Sequence, residues 1–372
     1  MFVDGHLDLA MNALGYERDQ TLPVDALRTR ERDPRPGDGR NTCSVSLPEL
    51  RAGGFGLAVT SLIARAKPWV HPARTTRRSA GDWPTQDMAH AEACGQRGYY
   101  ARLEARGAVR VIGTAAELAT HAAAWDADPV GTPVGLILSF ECADPVTEPA
   151  ELAWWHDRGV RTLMLTHFGR GHYAHGNPAD PANEHDTDGP VTERGRALLR
   201  EMERLGTPLD LTHLSDTSVR DALDRFGGAV YSSHSNCRAL APRQRQLTDA
   251  TVREVAERGG VLGVVTYFGF IQRDDFRGCY PEGGVPTHGV TLEDLADHVV
   301  HVCDVTGSRE HVALGSDLDG GYGAEECPHG LDRHRDLLRL GEVLGRRGFS
   351  DADVKAFLGG NWLRFWRANL PG

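Results

Sequence analysis

PLDLTHLSDTSVRDALDRFGGAVYSSHSN, residues 208–236, contains one full unit of the pattern that runs along the chain. A short apolar run predicted as a strand at Pro208–Thr212 leads into an amphipathic stretch at Ser215–Arg225, a Gly227-Gly228 turn, and a second short run at Ala229–Ser233. Apolar runs of this length read as buried strands, and the stretch between them is long enough for the crossover helix that parallel strands need. The same rhythm continues in both directions. Further strands are predicted at Phe2–His6, Gly56–Ile63, Val134–Phe140, Arg161–Thr166, Val261–Tyr267 and His311–Ser316, which makes eight, the number that closes a barrel. Helices are predicted at Thr192–Leu205, with Thr192 as its cap, at Asp249–Arg258 and at Leu292–Thr306. Two more are expected between Leu331 and Trp366, the second capped by Ser350. The expected fold class is α/β, a (β/α)8 TIM barrel with extra C-terminal helices.

Length does not force a division, because α/β barrels pass ~250–300 residues as single units by lengthening their loops. One domain over residues 1–372 is expected. Three polar inserts, at 17–40, 66–87 and 170–190, interrupt the rhythm, and loops of that length usually serve function. A net charge of −11 argues against a nucleic-acid partner. The densest basic stretch, Arg74 to Arg78, reads as a solvated loop. The seven cysteines have no C-x-x-C spacing and are odd in number, which fits a reducing compartment. At the N-terminus, MFVDGHLDLAMNAL has Asp4, His6 and Asp8 breaking the apolar run and no basic segment before it. No signal peptide and no membrane anchor are expected, and the cytoplasm is the expected location.

Chemistry gathers at the strand ends. The first strand offers His6 and Asp8, two residues apart and so on one side of an extended segment. Later strands run into Glu141, His167, His213, His234 and Asp317. In a (β/α)8 barrel these ends converge on one face. Any one of these residues alone reads as a hydrogen-bonded structural group, a surface acid or a turn former. Together they crowd carboxylates and imidazoles into one pocket, where a divalent cation is the usual compensation. The mixture, with no cysteine cluster, suits zinc or another borderline first-row ion, and seven groups imply two ions.

The chain resembles the membrane dipeptidase family, peptidase family M19, whose members are metal-dependent hydrolases of the amidohydrolase-like type. The resemblance is carried by Asp4-Gly5-His6-Leu7-Asp8-Leu9, Ser139-Phe140-Glu141, Leu165-Thr166-His167, Leu209-Asp210-Leu211-Thr212-His213, Ser233-His234-Ser235-Asn236, Gly315-Ser316-Asp317-Leu318-Asp319-Gly320 and Gly359-Gly360-Asn361. It implies a binuclear dipeptidase with two divalent ions, zinc expected. His6, Asp8 and Asp317 would hold one ion, His213 and His234 the other, and Glu141 would bridge both. It further implies that His167 binds substrate and stabilises charge on the attacked carbonyl, that Asp317 shuttles the proton, and that Arg245 receives the substrate carboxylate. A dipeptide, with a D-residue accepted at the second position, is the implied substrate, and some members open the β-lactam ring of carbapenems. Family precedent also implies a homodimer.

Two departures stand out. Phe168 leads into a His- and Pro-rich insert where many bacterial relatives have an Asn and a short loop, and Cys142 replaces a Gly beside Glu141. His172, His175 and His185 read as solvated loop residues, and Cys142 as a small buried filler. Trp154, Trp155, Trp362 and Trp366 read as core, with an interface as the alternative. One rival is a related two-metal barrel activity such as a lactonase, deaminase or phosphotriesterase, and another is a non-catalytic metal-binding scaffold. The first commonly bridges its ions with a carboxylated lysine, but the only lysines, Lys67 and Lys355, end no predicted strand.

Overall fold

The computed structural model describes residues 1–31, 41–68, 82–178, 188–274, 279 and 286–372. Arg74 to Arg78 and His185 lie outside the described residues. Eight barrel strands follow in chain order: β1 (Phe2–Leu7), β2 (Phe55–Leu62), β3 (Val134–Phe140), β4 (Val160–Met164), β5 (Leu209–Asp210), β6 (Val230–Tyr231), β7 (Leu262–Val264) and β8 (Val312–Leu314). β1 to β6 form one parallel sheet in sequence order, and β7 pairs in parallel with β8. A parallel bridge from Ser232 to Leu262 joins β6 to β7. On the other side, the Asp317 amide donates to the His6 carbonyl at 3.2 Å and so joins β8 back to β1. The ring is the (β/α)8 TIM barrel.

β2 and β3 run in register from Leu57↔Gly135 to Leu62↔Phe140 and are buried at every position, as strands covered on both faces must be. Alternation along the strands divides the core in two. Val3, Leu57, Val59, Ile137, Tyr231 and Ala313 pack together as one cluster, while neighbours such as Ala58, Leu136 and Leu138 join the other. The first cluster is closed by Trp362, Phe365 and Trp366 of the last helix, Asn361–Asn369. Trp362 donates its indole N–H to the Leu314 carbonyl at 2.7 Å, and its ring lies where a side chain on Gly5 would be. Trp155, Trp362 and Trp366 are therefore core, whereas Trp154 is 37% exposed under the Arg158 guanidinium.

Polar caps start the crossover helices as the sequence indicates. Thr192, Ser215 and Thr248 each accept an N–H from the first turn of Glu193–Leu205, Asp216–Arg225 and Asp249–Glu257. Ser350 and Asp353 form a capping box, and the segment then runs through a π-helical turn at Ala356–Gly360 into the last helix. Two of the polar inserts, expected as loops, carry regular structure. Val24–Arg30 is helical, and Asp82–Trp83 pairs in parallel with Arg65–Ala66. Among the described residues, no helix is long and apolar enough to cross a membrane.

Candidate metal centre

The C-terminal strand ends carry the predicted residues into one buried cluster. His6 Nε2 lies 3.6 Å from Asp8 Oδ1, 3.5 Å from Glu141 Oε2 and 3.8 Å from Asp317 Oδ1. Glu141 Oε1 is 3.2 Å from His167 Nε2 and 3.8 Å from His213 Nε2, which in turn is 3.1 Å from His234 Nε2. Three groups of potential ligand atoms, each within 4.8 Å, result: His6, Asp8 and Asp317; His6, Glu141 and His234; and Glu141, His167 and His213. Glu141 belongs to two of them. His167 falls among the potential ligands by distance, as it does among the seven strand-end groups of the sequence, whereas the family resemblance implies a substrate residue there.

The backbone bends sharply to achieve this. His213 and Asp317 both adopt left-handed conformations, with φ of 69° and 56°. Residues with a Cβ avoid that region, and strain of this kind gathers where side chains must be aimed. Buried acids that the sequence reading did not single out hold the turns. Asp210 Oδ1 accepts from the amides of Thr212 and Ser233 at 3.0 Å each, and from the Thr212 hydroxyl at 2.7 Å, fixing the turns that precede His213 and His234. Asp4 accepts from the amides of His6 and Ser316, from the Ser316 hydroxyl, and from His334 Nε2 at 2.7 Å. The Ser61 hydroxyl donates to Asp8. The signals for Asp4 and Asp210 in the sequence are position, two or three residues before a predicted ligand, and membership of the motifs that carry the family resemblance.

The electrostatics are those of a site built for added positive charge. Burial, reinforced by Asp8, pushes Glu141 up to about 7, and burial raises Asp317 well above the carboxylate range. Burial opposes a charge on His6, but the acids Glu141 and Asp8 outweigh it and raise its pKa. Burial, followed by nearby cations, holds His167, His213 and His234 far below the usual range, and so neutral. Both ring nitrogens of His6, Glu141 Oε2 and His213 Nδ1 are buried without a hydrogen-bond partner. Buried polar atoms are rarely left so. Neutral imidazoles, clustered carboxylates and orphaned lone pairs fit divalent cations.

Arg245, only 5% exposed, borders the cluster. Its Nη2 donates to the His234 carbonyl at 2.8 Å and lies 3.4 Å from His213 Nε2, Nη1 donates to the Ser235 hydroxyl at 3.0 Å, and the guanidinium stacks on Phe270. The loop histidines face elsewhere. His172 Nδ1 is 3.1 Å from Asp144 Oδ1, and His175 Nδ1 is 2.9 Å from the Pro190 carbonyl. Cys142 is buried, its thiol pushed well up by burial and donated to the Ala64 carbonyl at 3.3 Å, which suits a filler.

Fold and cluster together define the class, an α/β barrel of the amidohydrolase-like, metal-dependent hydrolase type. Solved structures share it. A family M19 metallopeptidase named dipeptidase AC is similar over 100% of this chain and 99% of its own, with 25% identity and a TM-score of 0.76. A metallopeptidase from Rhodobacter sphaeroides, bound to a phosphinate mimic of the dipeptide L-Ala-D-Ala, is similar over 99% of both chains, with 24% identity and a TM-score of 0.75. The chain belongs to the membrane dipeptidase family, peptidase family M19, which it matches over residues 1–370. Among curated relatives, an uncharacterized dipeptidase of Schizosaccharomyces pombe is 30% identical over 220 residues, 59% of this chain and 49% of that protein. Dipeptidase aclJ of Aspergillus oryzae is 32% identical over 216 residues, 57% and 46% of the two chains. The match thus spans about half the length of these curated relatives.

Proposed function

We propose that this protein is a binuclear metal-dependent dipeptidase, with His6, Asp8, Glu141, His213, His234 and Asp317 as ligands of two divalent ions, zinc by the donor chemistry. The observation that carries the reading is Glu141, whose two carboxylate oxygens face different proposed ligands, Oε2 at 3.5 Å from His6 Nε2 and Oε1 at 3.8 Å from His213 Nε2. When bound, the two ions supply Lewis acidity and bring the pKa of water toward neutrality.

The chain's own groups account for the remaining steps. Arg245 meets the free C-terminal carboxylate of the substrate through charge-assisted hydrogen bonds. Its Nη2 is 3.4 Å from His213 Nε2, so the guanidinium lies beside the cluster and favours a substrate whose free carboxylate is close to the scissile bond. His167 donates to the oxyanion that develops on the attacked carbonyl. The Asp317 carboxylate takes the proton released by the attacking water and passes it to the departing amine nitrogen. A D-residue at the second position is part of the proposal, supported by the L-Ala-D-Ala mimic held by the Rhodobacter sphaeroides relative.

Zinc-loaded protein assayed against L,L- and L,D-dipeptides and their C-terminal amides tests this. Turnover is expected for the free acids and strong loss for the amides. Arg245→Met should lower kcat/KM on the acids about 100-fold, chiefly through KM, while leaving the poor rate on the amides nearly unchanged. Two bound ions with no turnover of any dipeptide would favour the scaffold reading.

A further inference from the structure

Behind His167, on the side away from the cluster, the segment that follows β2 grips the loop that follows β4. Arg65 Nη1 lies 2.7 Å from His167 Nδ1. The Arg65 guanidinium is itself anchored, with Nε 2.7 Å from Asp82 Oδ1. Two residues further on, Lys67 Nζ donates to the carbonyls of Phe168 at 2.6 Å and Arg170 at 2.8 Å. Asp144 ties the same two segments together, accepting from the Ala66 amide at 2.9 Å and the His172 amide at 3.2 Å. The ring of His167 and the backbone that follows it are therefore both fixed from the rear.

A guanidinium offers five N–H donors and no acceptor. Its contact uses the lone pair of Nδ1, so the neutral ring carries its hydrogen on Nε2. That nitrogen points inward, 3.2 Å from Glu141 Oε1. A nitrogen that carries hydrogen has no lone pair left for a cation. We propose that Arg65 is a positioning residue that locks His167 in the Nε2–H tautomer, making it a fixed donor into the site and excluding it from the metal ligands despite its distance from them. The catalytic consequence rests on the dipeptidase reading, whereas the tautomer does not.

The test uses the zinc-loaded full chain with 15N-labelled histidine. Two-bond 15N–1H correlation identifies the His167 ring by its loss in His167→Asn. In the wild type, Nδ1 is expected at an acceptor shift and Nε2 at a protonated shift. In Arg65→Met the two tautomers should mix, with kcat down about 10- to 100-fold and KM changed less than about threefold. Arg65→Lys, which keeps a donor of shorter reach, should recover part of both signals, and it carries the comparison if Arg65→Met does not fold. A protonated Nδ1 in the wild type overturns the proposal, as does a variant lacking the guanidinium that keeps the wild-type tautomer and kcat. The expected tautomers in a chain that turns over no dipeptide would uphold the lock and remove the dipeptidase reading instead.

Discussion

His298 has no part in the metal cluster, yet it sets a pH limit on the protein. It is buried, accepts the Cys237 amide at Nδ1 and donates from Nε2 to the Ile271 carbonyl, both at 3.1 Å. A proton added at Nδ1 would break the first bond and bury a charge, and burial holds the pKa at about 4. Unfolded, the ring titrates near ~6.5. Between those values the unfolded chain binds the extra proton, so the stabilisation is present above ~6.5 and drains away as pH falls toward 4. Urea unfolding at pH 7.5 and pH 5 should show a loss of about 2 kcal/mol attributable to this ring. His298→Gln should remove that share of the pH slope, and an unchanged slope would disprove the assignment. At the same scale, the clustered acids and histidines were legible in the sequence because each stands at or just past the end of a predicted strand. The residues that aim them were not. Nothing in a linear reading shows that Asp210 accepts from both Thr212 and Ser233, or that Arg65 meets a histidine 102 positions later.

Among the elements, β5 to β8 pair over only two or three residues each, where the sequence predicts runs of five to seven. The apolar character is there, but the ends turn out of the ladder early to present Thr212-His213 and Ser233-His234. Crowding is greatest where β6, β7 and β8 meet. A Cβ on Gly315 would overlap the Ser233 carbonyl and come within 3.1 Å of the Gly263 Cα. Gly315→Ala should therefore destabilise by about 3 kcal/mol through backbone displacement. Gly95, by contrast, lies in the helix Gln86–Ala105 with open space around it, and Gly95→Ala should stabilise by about 0.5–1 kcal/mol. Melting temperatures that move in the same direction in both variants would contradict this account. That helix was itself hard to read from sequence. Its buried face is Ala89, Ala93, Gln96, Tyr100 and Leu103, correctly spaced but mostly small or polar, so the apolar periodicity that marks Glu193–Leu205 is faint.

Taken as a whole, the protein concentrates its electrostatic tension in one place. Three carboxylates and four imidazoles share a pocket in which several lone pairs find no partner, and ions bound only by the folded chain would relieve that tension. Stripping divalent ions with a chelator at pH 7.5 should lower the melting temperature, and restoring zinc at about a hundred times its dissociation constant should return about 2.7 kcal/mol for each ion bound. Calorimetric traces that coincide with and without chelator would count against ion binding at the cluster.

The plug formed by Trp362 has a bearing on how the molecule comes into being. The strand it seals against, β1, precedes every other strand of the barrel, while both its closing neighbour β8 and the sealing helix follow all the rest of the ring. A chain emerging from the ribosome must therefore keep an unpaired strand edge and an apolar floor open until β8 and that helix have followed, the condition under which half-made proteins stick to one another and chaperones find their clients.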